Sequence, residues 1–261
     1  MTNASVRILG SCGAWPEPGR ACAGLLLVLD GHRVVVDLGY GALSRLMTVL
    51  GGDAEKVDSV VVTHAHPDHL VDVHGLYRAR RYAAPKHGTG HRLPLYAPPQ
   101  VMQTLSGIDP EDPDGPSQVL DFVALPGEIV VGPWRLTAVT TPHHLPNVAV
   151  RFDAPAGSFV YTGDTAPCPQ LEQLAGGCDL LLCEATDRTQ QHPGSPEDPL
   201  LMTSIDAGRL ARRADVGRLV LTHFWPGNDR KRSQQQARQE YDGPVVLADE
   251  LSEADLAVRL R

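Results

Sequence analysis

Short runs of apolar, β-branched residues recur in the first quarter of the chain, and turn-forming residues separate them. The runs cover residues 5–9, 23–29, 33–37 and 59–63. Runs of this length and composition predict β-strands. The Asp30-Gly31 pair between the second and third runs predicts a hairpin, because glycine accepts the positive φ that a tight turn requires. We therefore expect the first part of the chain to be an antiparallel meander.

Apolar residues at helical spacing alternate with further strand-like runs in the rest of the chain. The helical pattern covers residues 42–49, 70–82, 204–214 and the region near 230–241. Strand-like runs lie at residues 134–140, 148–152, 159–162, 180–184 and 219–222. Strands in two groups, with helices between and after them, predict two packed sheets covered by helices. We expect an α/β (α+β) fold in one domain over residues 1–261, since a chain of this length buries roughly three quarters of its surface.

Two segments rich in proline, glycine and acidic residues interrupt this pattern, at residues 106–118 and 186–199. Composition of this kind is typical of surface loops. The alternative is that the segments form a rim around an active site, and the sequence leaves both interpretations open.

The composition excludes several classes of protein. With 42% hydrophobic and 21% charged residues, the chain is neither a disordered polymer nor a membrane bundle, and no run reaches the roughly 18 apolar residues of a membrane helix. A net charge of −8 argues against long nucleic acid as a partner, because its binders carry a basic surplus. Five cysteines without CxxC spacing form neither a disulfide framework nor a thiolate zinc site. Together with the lack of an export signal, this predicts a cytoplasmic protein.

The most informative stretch is the sequence HAHPDH at residues 64–69, directly after a strand-like run. In an extended segment His64 and His66 point the same way, because side chains alternate with a period of two, so they can bind one ion. The proline that follows favours the start of a helix, which turns Asp68 and His69 toward a second point. Three imidazoles crowded at a strand end would be costly to bury without a shared partner. The stretch therefore predicts metal binding rather than a chance cluster.

Two metals need about six to eight protein ligands, and this stretch offers four. Three further candidates each lie next to a β-branched apolar run, namely His143, Asp164 and His223. A carboxylate such as Asp164 can bridge two cations, whereas an imidazole cannot. Two divalent ions lower the pKa of a shared water to about 7, so a metal-bridged hydroxide and hydrolysis are the expected chemistry. Zinc is the expected metal because imidazole suits it, with manganese or iron as alternatives.

In their order and spacing these motifs resemble the metallo-β-lactamase superfamily of αββα hydrolases, and the resemblance covers nearly the whole chain. It implies a four-layer αββα sandwich. It also implies one metal on His64, His66 and His143, a second on Asp68, His69 and His223, and Asp164 between the two. Asp68 and Asp164 are then expected to belong to the catalytic centre.

Two further assignments rest on the resemblance. The register of the following proline and arginine matches the family when His143, rather than the adjacent His144, is the ligand. His144 is then either a substrate contact or an exposed bystander. Asp37 resembles the family's early aspartate, which orients a ligand histidine, and the alternative is that it caps the helix near Gly41.

Within the superfamily, the segments LLCEAT, MTSIDAGRLARRA and RLVLTHF resemble the branch of ribonuclease Z and the bacterial cyclic-nucleotide phosphodiesterases. That branch places a glutamate and a histidine near the scissile bond. Glu184 matches the glutamate and is expected to be catalytic, the alternative being a cap or salt bridge at the end of a strand. Leu201 stands at the position of the histidine. General acid help is worth about 10²- to 10⁴-fold. The chain therefore needs either a good leaving group or a substitute acid such as His192 or His144.

The substrate is expected to be a small molecule. Ribonuclease Z carries its RNA-gripping arm between the third histidine and the bridging aspartate, yet here His143 and Asp164 are only 21 residues apart. A small phosphodiester is the first hypothesis, and a carbon ester, thioester or lactone is the alternative. A metal-binding protein with little catalysis is a third hypothesis, which the complete ligand set disfavours. A homodimer is left open.

A basic cluster lies near the end of the second predicted helix. It comprises Arg78, Arg80, Arg81, Lys86 and Arg92, with His87 and His91 close by. Such a cluster is either a phosphate site or the solvated face of a helix, and the sequence alone keeps both interpretations.

Overall fold

Two seven-stranded sheets run through residues 4–83 and 92–256, the parts of the chain that the computed structural model describes. The first sheet contains β1 (Ala4–Gly10), β2 (Gly24–Leu29), β3 (His32–Leu38), β4 (Ser59–Val61), β5 (Leu93–Ala97), β6 (Leu120–Ala124) and β14 (Glu253–Asp255). The second contains β7 (Gly127–Val131), β8 (Trp134–Thr141), β9 (Asn147–Ala154), β10 (Gly157–Tyr161), β11 (Leu180–Glu184), β12 (Leu219–Thr222) and β13 (Val245–Leu247).

Helices cover the outer face of each sheet. Those beside the first sheet are α1 (Ala42–Leu50), α2 (Pro67–Tyr82), α3 (Pro99–Ile108) and α4 (Gly115–Val119). Those beside the second sheet are α5 (Pro169–Ala175), α6 (Ser204–Arg213) and α7 (Arg230–Arg238). Within the described ranges no helix combines the length and the apolar character needed to cross a membrane.

Strands buried on both faces explain the layering. In β2, Leu25 and Leu27 pack in the core between the two sheets, whereas Leu26 packs against the helices of the first sheet. In β11, Leu182 faces the core between the sheets and Leu181 faces the helices of the second sheet. Because side chains alternate along a strand, each sheet contributes to two cores. The layers follow in the order αββα, and the predicted fold class is confirmed.

The pairing directions bring several strand ends to one edge. Strands β1, β2 and β3 are antiparallel, as the predicted meander requires. The prediction is wrong for β4, which pairs in parallel with β3 because α1 lies between them and carries the chain back across the sheet, and β5 and β6 continue in parallel. In the second sheet β7 to β10 are antiparallel, and β10 to β13 are parallel. Ligand sites in α/β proteins form beyond the carboxyl ends of parallel strands. The candidate residues at 64–69, 164 and 223 all follow such ends.

The prediction of a loop over residues 106–118 is partly wrong. The end of α3 and all but the last residue of α4 lie in this range. Both helices begin with proline in their first turn, a position where its missing N–H costs nothing. Pro116, one of the prolines that indicated turns in the sequence, therefore marks a helix start, whereas Pro110 and Pro113 do lie in turns. The same ambiguity explains why α2 begins at Pro67, three residues before the predicted helix.

The basic cluster at the end of α2 is tied to neighbouring segments. Arg78 Nη1 lies 2.9 Å from an oxygen of Asp109, and Arg81 pairs with Asp112. Arg80 donates hydrogen bonds to two backbone carbonyls of the segment before β4. These arginines lie at the opposite end of α2 from the HAHPDH stretch, which favours a structural role. Three members of the predicted cluster, Lys86, His87 and His91, lie outside the described residues.

Candidate metal centre

Seven ligand-type side chains meet at the common edge of the two sheets. Four of them come from the HAHPDH stretch, which leaves β4 and enters α2, so they belong to the first sheet. The other three, His143, Asp164 and His223, follow β8, β10 and β12 of the second sheet. The structure thus brings together every residue that the sequence predicts as a metal ligand, and arranges them in two groups.

The first group contains three imidazoles. His64 Nε2 lies 2.9 Å from His66 Nδ1, and His143 Nε2 lies 3.1 Å from the same atom. Asp164 Oδ2 lies 3.9 Å from the Nε2 atoms of both His64 and His143. Their ligand atoms all lie within 4.8 Å of one another, so one ion can contact all of them.

The second group contains His69, His223 and Asp68. The two imidazole Nε2 atoms are 3.2 Å apart, and Asp68 Oδ2 lies 3.4 Å from His223 Nε2. Asp164 Oδ1 lies 3.3 Å from His69 Nε2 and 3.2 Å from His223 Nε2. The two oxygens of Asp164 therefore face different groups, which is the arrangement of a bridging carboxylate.

Hydrogen bonds behind the cluster fix the ring orientations. The Nδ1 atom of His143 lies 3.1 Å from the carbonyl oxygen of Leu200, which can only accept. Nδ1 therefore carries the proton, and the lone pair of Nε2 points at the other candidate ligands. This arrangement selects His143 over His144, in agreement with the register of the sequence.

Asp37 orients His69 in the same way. Its Oδ2 lies 2.7 Å from His69 Nδ1, and its two oxygens also accept hydrogen bonds from the amide and hydroxyl of Thr63. The alternative role at the start of α1 belongs instead to Asp72, which accepts a hydrogen bond from the amide of Leu43. Asp37 has a φ of 54°, a strained value for a non-glycine residue that is typical of functional sites.

The local electrostatics favour the protonation states in which histidine and aspartate side chains bind cations. Burial lowers the pKa of the imidazoles of His64 and His143, so both are neutral at pH 7. Burial alone would raise the pKa of Asp164, but the imidazoles of His223 and His69 hold it well below its usual range. Neutral imidazoles and an ionised carboxylate are the forms that bind metal ions.

Two observations show that divalent ions fit this donor set. Burial opposes a proton on His69, yet the carboxylates of Asp164, Asp37 and Asp68 hold its pKa well above the usual value. The raised pKa reflects an excess of negative charge that a cation would neutralise. Asp164 Oδ1 is buried and makes no well-aligned hydrogen bond within residues 4–83 and 92–256. A buried carboxylate oxygen of this kind needs a partner, and a metal ion supplies one.

A cavity of about 290 Å³ opens onto both groups. Five of the candidate ligands line its wall, namely His66, Asp68, His143, Asp164 and His223. The other residues of the wall are Ala14, His144, Arg188, Asp198, Leu201 and Trp225. A larger cavity of about 420 Å³ lies between α5 and α6, but none of the seven candidate ligands lines it. The candidate site is therefore identified by the ligand-type side chains that line the cavity, and not by the volume of the cavity.

The sequence matches the family described as a beta-lactamase superfamily domain over residues 32–224. The chain belongs to the metallo-β-lactamase superfamily. An uncharacterized protein of Mycobacterium tuberculosis is 34% identical over 97% of this chain and 93% of its own length. The probable metallo-hydrolase YhfI of Bacillus subtilis is 28% identical over 93% of this chain and 96% of its own. Ribonuclease Z of Mycobacterium bovis is 27% identical over 97% and 99%.

Solved structures of the superfamily match the fold closely. The crystal structure of YhfI has a TM-score of 0.84 and 24% identity, covering 98% of this chain and all of that chain. A diphosphatase of the PhnP family has a TM-score of 0.77 and 19% identity, covering 99% of this chain and all of that chain. At such identities these structures establish the fold alone. Membership in the superfamily supports a metal-dependent hydrolase, and the predicted resemblance is confirmed.

Glu184, which the superfamily resemblance implies to be catalytic, lies behind the cluster rather than in the cavity. Its side chain is fully buried, and its Oε1 accepts a hydrogen bond from the amide of Thr165. Its Oε2 accepts a hydrogen bond from the hydroxyl of Thr186. Because that hydroxyl donates its own hydrogen to Glu184, it accepts a hydrogen bond from His223 Nδ1, which lies 3.1 Å away. The geometry makes Glu184 a positioning residue that acts on His223 through Thr186.

We expect Thr186→Val to weaken metal binding by about 10- to 100-fold, because the His223 ring loses the acceptor that orients it. Metal content after equilibrium dialysis against graded zinc concentrations measures the change. Thr104→Val is the matched control, since the Thr104 hydroxyl donates its hydrogen bond to the carbonyl of Gln100 within its own helix. Equal metal affinity in the Thr186 variant and the wild type would contradict the role of Thr186 in orienting His223.

The loop after β1 also shapes the site, and sequence reasoning missed it. The amide of Ala14 donates a hydrogen bond of 2.6 Å to Asp68 Oδ2, with Ala14 at a φ of 59°. A side chain at Gly13 would place its Cβ only 2.5 Å from the His223 ring. The signal in the sequence is the single glycine of the CGAW segment, which does not reveal its neighbour. This loop therefore fixes one candidate ligand by a hydrogen bond and another by close approach.

Gly13→Ala should lower zinc affinity by about tenfold or more, because the added methyl group forces the His223 ring out of position. Gly107→Ala is the control, since Gly107 lies in α3 and a Cβ there would meet no other segment of the described residues within 4 Å. Zinc stoichiometry and the unfolding temperature are measured for both. Full zinc binding by the Gly13 variant would contradict this prediction, because it would show that the loop moves away and leaves the His223 ring in place.

Proposed function

We propose that this chain is a dinuclear metal-dependent phosphodiesterase that hydrolyses a small phosphodiester. The observation that supports it most is the placement of Asp164, whose two oxygens face different groups of imidazoles at 3.2 to 3.9 Å. Two divalent ions at such a site supply a water of lowered pKa and charge stabilisation at the phosphoryl group. Two zinc ions are proposed, with manganese or iron as alternatives.

The residues of the chain hold this arrangement and admit the substrate. Asp68 lines the cavity, and its carboxylate stays ionised because His69 and His223 overcome the effect of burial on its pKa. It can therefore accept a hydrogen bond from a water in the cavity and orient it. Asp164 lies between the two imidazole groups, and Glu184 acts on His223 through the hydroxyl of Thr186.

Two features support a small substrate. The segment between His143 and Asp164 forms the β9–β10 hairpin, so it has too few remaining residues for an arm that grips RNA. The cavity of about 290 Å³ lies at the lower end of the range for small-molecule sites. Sequence similarity to ribonuclease Z supports phosphoryl chemistry.

Hydrolysis of a carbon ester, thioester or lactone is the second candidate. Leu201 lines the cavity where the related branch has a histidine, so no acid is supplied there for a poor leaving group. His192 is exposed and does not line the cavity, whereas His144 does. Activated esters need less help from an acid.

The test compares substrate classes on zinc-loaded protein. Bis(p-nitrophenyl) phosphate and cyclic AMP represent diesters, and p-nitrophenyl acetate and a simple lactone represent carbon esters. We expect zinc-dependent turnover of at least one diester at a kcat/KM above that of either carbon ester. Faster turnover of the carbon esters would favour the second candidate. A chain that binds fewer than two ions and turns over neither class would contradict both.

A further inference from the structure

We propose that Arg188 is the residue that recognises the negative charge of the substrate, by binding an oxygen of its phosphoryl group. This inference rests on the proposed phosphodiesterase function. It assigns a purpose to the segment at residues 186–199, which provides Arg188 and Asp198 to the cavity wall. Of the two interpretations left open by the sequence, the structure thus favours the rim of a site.

Arg188 lies where a substrate at the candidate metal ligands would meet it. It lines the same cavity as His143, Asp164 and His223. Among the described residues that line this cavity, it is the single arginine or lysine side chain. A phosphodiester that reaches the candidate metal ligands therefore enters a cavity with one permanent cation in its wall.

The guanidinium group is held in place before any ligand binds. Its Nη1 donates to Asp198 Oδ2 at 3.2 Å, and its central carbon lies 4.8 Å from the ring centre of Trp225. Trp225 in turn packs edge-on against Trp15, with ring centres 5.1 Å apart. A stacked guanidinium loses little rotamer freedom on binding, so its donors are available at low entropic cost.

The ion pair with Asp198 leaves most of the guanidinium available. Asp198 divides its carboxylate among three donors, because it also accepts the amide of Leu200 at 3.0 Å and lies 3.0 Å from His144 Nε2. Within the described ranges, Nη1 is the one guanidinium nitrogen of Arg188 that donates a hydrogen bond. The side chain is 40% exposed. The remaining N–H groups form the planar fork that matches two phosphate oxygens.

A second arginine of the same construction provides the comparison. Arg78 pairs with Asp109 at 2.9 Å, stacks 5.0 Å above the ring of Tyr82 and is 42% exposed. It lies at the far end of α2 and does not line the candidate site. Stacking and pairing alone are therefore ordinary surface features. What distinguishes Arg188 is that its free donors share a cavity with the candidate ligands.

The experiment measures the binding of inorganic phosphate to zinc-loaded protein by isothermal titration calorimetry, in the wild type and in Arg188→Ala, Arg188→Lys and Arg78→Ala. Losing a charge-assisted hydrogen bond costs about 10- to 100-fold in affinity. We expect a loss of that size in Arg188→Ala, a smaller loss in Arg188→Lys, and wild-type affinity in Arg78→Ala. Circular dichroism and zinc content confirm that each variant is folded and loaded.

Kinetics add a second measurement with the same proteins. Arg188→Ala should lower kcat/KM for anionic bis(p-nitrophenyl) phosphate by about 10- to 100-fold and lower that for neutral p-nitrophenyl acetate by a much smaller factor. Wild-type phosphate affinity in Arg188→Ala would overturn the proposal, because the ions alone would then hold the phosphate. Equal losses for both substrates would also overturn it. If the wild type hydrolyses no diester, the proposed function fails, and the phosphate affinities still decide the role of Arg188.

Discussion

Asp164→Asn should reduce turnover by about a thousandfold or more and leave the fold intact. Asparagine keeps the size of the side chain but removes the charge and one of the two oxygens that face the imidazole groups. Metal ions held by such a site would contribute several kcal/mol of transition-state stabilisation, and each 1.4 kcal/mol corresponds to about tenfold in rate. Turnover of the best diester and zinc content are measured together, since both should fall.

The matched control is Asp121→Asn, because this aspartate lies on β6 with a side chain that is 62% exposed. It should keep wild-type activity and metal content. Circular dichroism and the unfolding temperature show whether the Asp164 variant is folded. Two tightly bound ions and unimpaired turnover in a folded Asp164→Asn protein would refute the bridging role.

Removing the bound ions with a chelator should eliminate turnover without unfolding the chain. The core between the sheets consists of apolar residues such as Leu27, Phe152 and Leu182, which need no metal to pack. The unfolding temperature should nevertheless fall, because a ligand that binds only the native state stabilises it by mass action. Turnover, near- and far-ultraviolet circular dichroism and calorimetry of the metal-free protein provide the measurements.

Reconstitution serves as the control for this result. Zinc, and to a lesser extent manganese, should restore turnover because five of the seven candidate ligands are imidazoles. Magnesium should not, because it prefers an octahedral shell of oxygen atoms. Loss of native circular dichroism on chelation would instead identify a structural metal, and restoration by magnesium would contradict the ligand set.

The candidate ligands were predictable because their chemistry is local in sequence. The HAHPDH stretch is recognisable because three imidazoles lie within six residues. The other three candidate ligands, His143, Asp164 and His223, each follow a strand. The strands themselves were predictable where both faces are buried, as in β2 and β11, because their apolar runs are continuous. Strands β6 and β7 were missed because most of their side chains are at least partly exposed.

The groups around the ligands were harder to predict because their roles depend on distant partners. A glutamate at the end of a strand is compatible with either a cavity or a buried position, and burial behind Thr186 decides the matter for Glu184. Gly13 matters only because His223 lies beside it, 210 positions later in the chain. Arg188 looks like any charged loop residue until Trp225 and Asp198 are brought next to it.

The division of the candidate ligands between two sheets makes ion content a gauge of how those sheets are aligned. Ligand distances tolerate errors of only about 0.2 Å, whereas an apolar core repacks around larger shifts with a modest loss of stability. A substitution in the core between the sheets, such as Phe152→Leu, can therefore slide one sheet against the other and release zinc from a chain that still melts cooperatively. Such a shift would leave the far-ultraviolet circular dichroism spectrum unchanged, but elemental analysis would detect the lost zinc.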